Sequence, residues 1–202
     1  MATTVQREPD QPLAIRIMHW IHALCIVLLA WSGMYIHYPG SFSFPGAMNG
    51  ARYVHFIAMY VVTMNLIIKV YHAMVTGYYK QIWFYMRHTK DLVPLAKYYL
   101  WMSDFEPKEG HLNPGQRATY SMWLFLLIIE ALTGFALYQL PGFGWVTFIC
   151  GGTLYWVRVV HFLGNWLFII TTGIHIYLSL YHGLGLLRGM FTGYEEPLKS
   201  GD

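Results

Sequence analysis

Long apolar runs separated by polar or turn-rich segments set the pattern of this chain. They predict an all-α membrane protein, a bundle of four spanning helices over residues 14–36, 51–75, 116–138 and 158–181. Each run is near the ~20 residues needed to cross a bilayer's hydrocarbon layer. Residues 1–13 read as a polar tail, and the chain from Gly183 as a second, glycine-containing one. The first run is too long for the usual apolar core of a signal peptide and lacks a clear small-residue cleavage site, so it reads as a retained span. The connection 37–50 is rich in Gly, Pro and Ser, and 139–155 is a charge-free loop whose PGFG and CGG stretches mark turns.

The one long connection, 76–115, has a different texture. Trp83, Phe84, Tyr85, Tyr98, Tyr99 and Trp101 alternate there with Lys80, Arg87, Lys90 and Lys97. Aromatic and basic residues together predict an amphipathic segment lying on the membrane surface, which Pro94 is expected to break or kink.

Composition agrees with an integral membrane protein: 202 residues, 56% hydrophobic and only 11% charged, against about 25% charged in soluble domains. The whole of 1–202 reads as one membrane domain. The formal charge of +3 is small, and no basic run points to nucleic acid. Cys25 and Cys150 form no metal motif and are expected neither to pair nor to hold an iron–sulfur cluster. Of the thirteen Lys and Arg residues, only Arg52 and Arg158 belong to the side holding the two short loops. The positive-inside rule therefore puts both termini and the long loop in the cytoplasm.

Ten histidines are many for this length. His161 and His175 lie fourteen residues apart in the last span. At ~3.6 residues per turn they point to nearly the same side, about 21 Å apart along the axis. Depth pairs them with histidines of other spans: His55 with His161 on the outer side, His19 with His175 on the inner. Ionisable groups at such depth are functional candidates, and two pairs at matching depth predict two bis-histidine haems stacked across the membrane. Arg16, Arg52 and Arg158 each stand three residues before His19, His55 and His161, one turn nearer the water. A guanidinium there suits a haem propionate, although snorkelling would explain any one of them. Lys69 stands likewise before His72.

Alternatives remain at this level. His22 or His72 could replace His19 as inner ligand. His37, His88, His111 and His182 fall in loops or at ends, where solvated or interfacial histidine is the default. Glu130, inside the third span, reads either as a proton-transfer group or as a neutral hydrogen-bonded carboxyl. Gly33, Gly134, Gly164 and Gly173 could admit a porphyrin edge or simply close helix packing. A haem-free transporter relaying protons through histidines, or a plain membrane anchor, are competing functional classes.

The motifs Arg16-Ile-Met-His19-Trp20, Arg52-Tyr-Val-His55-Phe56, Gly110-His111-Leu112-Asn113-Pro114-Gly115-Gln116, Thr133-Gly134-Phe135-Ala136-Leu137-Tyr138 and His161-Phe162-Leu163-Gly164-Asn165-Trp166 with Gly173-Ile174-His175 span all four helices in order. With them the chain resembles the b-type cytochrome subunit of membrane-bound nickel–iron hydrogenases, and more distantly the cytochrome b subunit of formate dehydrogenase. The resemblance implies two haem b groups on His19, His55, His161 and His175, in a bacterial inner-membrane protein. It implies electron transfer to a membrane quinone near the inner haem, where His72, Lys69 and Asn113 are candidates. It also implies docking onto the hydrogenase small subunit with its anchor helix, and through it the large subunit. A formate dehydrogenase or other molybdenum enzyme is the alternative partner. Glu130 lies outside the family pattern, so no role carries over to it.

Overall fold

A computed structural model of the chain describes residues 9–107, 112–181 and 184–195. His111 and His182 lie outside the described residues. Among the latter the structure is helical, with no strand. The helices are α1 (Leu13–His37), α2 (Ala47–Thr76), α3 (Tyr79–Ile82), α4 (Thr89–Tyr99), α5 (Pro114–Leu137), α6 (Gly144–Ile149), α7 (Leu154–Tyr181) and α8 (Leu184–Thr192), with a short 3-10 turn at Met86–His88.

Helices α1, α2, α5 and α7 are long and apolar enough to cross a membrane. At ~1.5 Å per residue even the shortest of them exceeds a ~30 Å hydrocarbon layer. Helices α1, α2 and α7 carry faces with Leu24, Ile57, Met64, Ile67, Leu163 and Ile170, all exposed. In water such faces would be a liability; in lipid they are the solvated surface. The chain is an integral membrane protein.

The chain forms two compact units, one of residues up to Lys69 together with those from Ile169, the other of Val70–Phe168. In the first unit Tyr35, Phe44 and Ala51 form a buried cluster that Ile36, Met48 and Val54 complete. The α1–α2 connection thus folds an aromatic side chain back onto the helices it joins. Helix α8 was expected as part of a polar tail. It docks instead on α1, where Trp20 packs on Phe191 at 4.5 Å and donates its indole N–H to Met190 O at 2.9 Å. The Arg16 guanidinium donates to the carbonyls of Met190 and Phe191. These are last-turn carbonyls with no partner inside their own helix, and a cation there also suits the helix dipole. Gln11 N–H donates to Gly193 O at 3.0 Å, so the chain entering α1 and the chain leaving α8 lie side by side.

In the second unit α5 begins with a capping box. Asn113 Oδ1 accepts from Gln116 N–H at 2.8 Å, and Gln116 Oε1 accepts from Asn113 N–H at 2.9 Å. Helix α4 runs through Pro94 rather than ending there; a proline at the sixth helical position removes one bond, to Lys90 O. Phe84 N–H donates to Ser121 Oγ at 2.9 Å and Trp83 packs on Phe125, tying the long connection to α5. The stretch expected as a charge-free loop contains α6, because Val146 fills a buried cluster with Ala136 and Val157. The same contact places Val157 inside α7, which starts at Leu154 rather than 158. His88, expected to be solvated or interfacial, is buried, and its Nδ1 accepts from Tyr85 N–H at 3.0 Å.

Candidate functional site

In the first unit the rings of His19 on α1 and His175 on α7 face each other, with centres 6.5 Å apart and planes inclined by 54°. His19 Nδ1 is buried and has no hydrogen-bond partner among the described residues. One turn on, His22 is engaged differently. Asn65 Nδ2 donates to Met18 O at 2.9 Å and to His22 Nδ1 at 3.1 Å. The Met18 carbonyl fixes which end of the Asn65 amide is nitrogen, so His22 Nδ1 must be the acceptor and the ring proton sits on Nε2.

His55 on α2 shows the opposite tautomer. Ser32 Oγ lies 3.0 Å from His55 Nδ1. The single Ser32 proton goes to Leu28 O at 2.5 Å. The serine oxygen therefore accepts, His55 Nδ1 carries the proton, and Nε2 presents a lone pair. Gly33 gives the ring room: a Cβ there would stand 3.3 Å from His55 Cε1.

The second unit repeats this logic at His161 on α7. Thr133 Oγ1 donates to Ile129 O at 2.7 Å, so it accepts from His161 Nδ1 at 2.9 Å. Glu130 Oε2 also lies 3.0 Å from His161 Nδ1. His161 Nε2 is again the unprotonated nitrogen. Ser32 and Thr133 are both fully buried. His55 and His161 belong to different units, and each is placed by its own neighbours.

The remaining sequence candidates fall as follows. Arg16 holds the α8 carbonyls, while Arg52 and Arg158 are exposed. Lys69 and His72 are half-buried on α2. Asn113 is buried; besides capping α5, its Nδ2 donates to Tyr99 Oη at 3.0 Å and Glu106 Oε1 at 3.1 Å. Its side chain is thus engaged structurally at both polar atoms. Sequence reasoning did not single out Ser32 or Asn65. The available signal was a small polar side chain inside an apolar span, which needs a partner there.

A family model described as prokaryotic cytochrome b561 matches residues 10–193. The chain belongs to the prokaryotic cytochrome b561 family. A probable Ni/Fe-hydrogenase B-type cytochrome subunit of Rhizobium leguminosarum bv. viciae is 30% identical over 187 residues, covering 82% of this chain and 77% of the relative. The protein of the same description from Cupriavidus necator is 25% identical over 96% of this chain and 86% of its own. A putative protein-methionine-sulfoxide reductase subunit YedZ1 of Azospira oryzae is 27% identical, over 82% and 87%. The resemblance to the b-type cytochrome subunit of nickel–iron hydrogenases is therefore upheld, and the chain is a membrane electron-transfer cytochrome of b type.

A b-type cytochrome implies haem b. A metal between two imidazoles lies about 2 Å from each nitrogen, and each nitrogen about 1 Å from its ring centre, giving ring centres roughly 6 Å apart. The 6.5 Å between His19 and His175 fits that span. The Nδ1–H tautomers of His55 and His161 fit ligation through Nε2, which is how an oriented metal-binding imidazole is held. The His22 tautomer does not.

Proposed function

We propose that this cytochrome is a dihaem subunit that passes electrons from a nickel–iron hydrogenase to a membrane quinone. His19 and His175 would hold one haem b. His55 and His161, paired by their depth in the sequence, would hold the other. Bound haem supplies reversible one-electron exchange at iron. The chain's own part is to orient imidazoles, exclude water and set the surrounding dipoles. Buried hydroxyls hold Nδ1–H of His55 and His161, which keeps Nε2 ready as a donor atom. Arg52 and Arg158, exposed one turn before their histidines, remain the residues proposed for propionates. Lys69 and His72 remain those for the quinone region, while Asn113 serves the α5 cap.

The observation that carries the reading is the facing of His19 and His175 across a gap of haem width. Orientation with both termini and the long loop in the cytoplasm rests on the distribution of Lys and Arg. Around α4, exposed Met86, Val93, Leu100, Trp101, Met102 and Phe105 support a membrane-surface position for the long connection. The hydrogenase is proposed from the names of the Rhizobium and Cupriavidus relatives. The Azospira relative supports a second reading, in which the donor or acceptor is a reductase of oxidised methionine.

The test is haem per polypeptide on detergent-purified protein, with a dithionite-reduced minus oxidised spectrum. Two haem b per chain are expected, falling to one in each of His19→Ala and His161→Ala. Unchanged haem content in either variant would remove that histidine from the ligand set. Hydrogen-driven reduction of the haems in membranes holding the hydrogenase identifies the partner; no reduction by hydrogen there would exclude it.

A further inference from the structure

Glu130 stands one turn before Thr133 on α5, so the two side chains leave the same face of the helix. Both reach one atom. Thr133 Oγ1 lies 2.9 Å and Glu130 Oε2 3.0 Å from His161 Nδ1. The facing helix makes room for the carboxyl. Gly164, one turn after His161 on α7, is buried, and a Cβ there would run into Glu130 Oε1 and Cδ. The room is needed because a carboxyl inside a membrane span is costly and is retained where a partner holds it.

A hydroxyl alone would fix the His161 tautomer, as Ser32 does for His55. The carboxyl adds a stronger acceptor. Pulling on Nδ1–H raises the electron density of the ring and makes Nε2 a better donor to a metal, which favours the more oxidised metal. We propose that Glu130 is a positioning residue for His161: by accepting its Nδ1–H, Glu130 orients the imidazole and lowers the reduction potential of the haem that His161 ligates. This rests on the reading of His161 as a haem ligand. It assigns a role to an intramembrane carboxyl that is not itself a ligand.

The experiment is a redox titration of the purified dihaem protein, with low-spin EPR of both haems, in wild type, Glu130→Gln and Glu130→Leu. Glu130→Gln keeps the shape of the side chain, so folding and haem count stay intact while the acceptor weakens. The expected result is two bound haems, one of them shifted to higher potential with an altered g value, the other unmoved. At a fixed potential near its midpoint the ferric-to-ferrous ratio of that haem falls by roughly tenfold, within the range of outer-shell effects. Glu130→Leu shifts the same haem further. Two bound haems with both potentials and both EPR signals unchanged in Glu130→Gln would overturn the proposal. His161→Ala separates this from failure of the ligand reading. If it loses one haem while Glu130→Gln shifts nothing, only the role of Glu130 falls. If it retains both haems with unaltered spectra, the ligand reading falls and the role of Glu130 with it.

Discussion

The amide nitrogen of Asn65 donates to Nδ1 of His22, and this contact separates two histidines that lie one turn apart on the same helix. His22 is thereby held as the tautomer with its proton on Nε2. His19, whose ring faces His175, keeps a buried Nδ1 with no hydrogen-bond partner among the described residues. The facing of His175 and the engaged Nδ1 of His22, rather than depth, are what favour His19 in the proposed ligand set.

A prediction follows for the pair. His22→Gln retains two haems per chain, while His19→Ala loses one, both read by pyridine haemochrome assay on protein of equal folded yield. Loss of a haem from His22→Gln would return His22 to the ligand set. Asn65→Leu removes two buried hydrogen bonds, each worth about 1 kcal/mol. It should lower the thermal midpoint without changing haem count.

Arg16 tests two roles against each other. Its position before His19 suggests a propionate partner, yet the guanidinium sits on the Met190 and Phe191 carbonyls. Arg16→Ala should loosen the end of α8, at a cost of about 0.5 kcal/mol for the lost cation at a helix terminus. Limited proteolysis near residues 188–195 should accelerate, and both haem potentials should stay put. A shift in a haem potential without faster cleavage would favour the propionate role instead.

The four spans were legible because they depend only on length and hydrophobicity, which a bilayer imposes directly. What was not legible depends on tertiary contact. Helix α8 is only nine residues long and contains Gly185 and Gly189. So short a helix has little stability of its own, and it exists here through Trp20 and Arg16, which lie far away in sequence. Helix α6 likewise depends on Val146 meeting Ala136 and Val157. The hydroxyl partners of His55 and His161 follow from how each helix is rotated about its axis, which apolar periodicity does not report for helices that are hydrophobic all round. His88 was misplaced for a related reason: a histidine in a connection looks solvated until Phe84 and Tyr85 are seen to fold over it.

Asn113 offers a test of whether a motif residue is structural. Its side chain caps α5 and also reaches Tyr99 and Glu106. Asn113→Ala should cost about 1 kcal/mol for the lost cap, with more for the buried groups left unpaired. The thermal midpoint should drop while the haem spectra keep their shape. Quinone reduction, measured per folded molecule below the new midpoint, should remain at the wild-type rate. A large loss of that rate with stability unchanged would restore Asn113 to the quinone region.

Gly164→Ala probes the histidine–carboxyl contact from the other helix. The added methyl meets the Glu130 carboxyl, which is the far end of a flexible side chain and can swing aside. It can do so only by releasing His161 Nδ1, where Glu130 Oε2 now lies at 3.0 Å. The cost should therefore be about 1–3 kcal/mol of overpacking, together with a higher potential at the haem that His161 is proposed to hold. A double variant separates the two effects, because contacting residues couple and distant ones add. In Glu130→Ala the carboxyl is already gone, so adding Gly164→Ala should cost little further stability and shift that potential no further. If Gly164→Ala is equally destabilising in both backgrounds, the glycine serves a contact other than the one with Glu130.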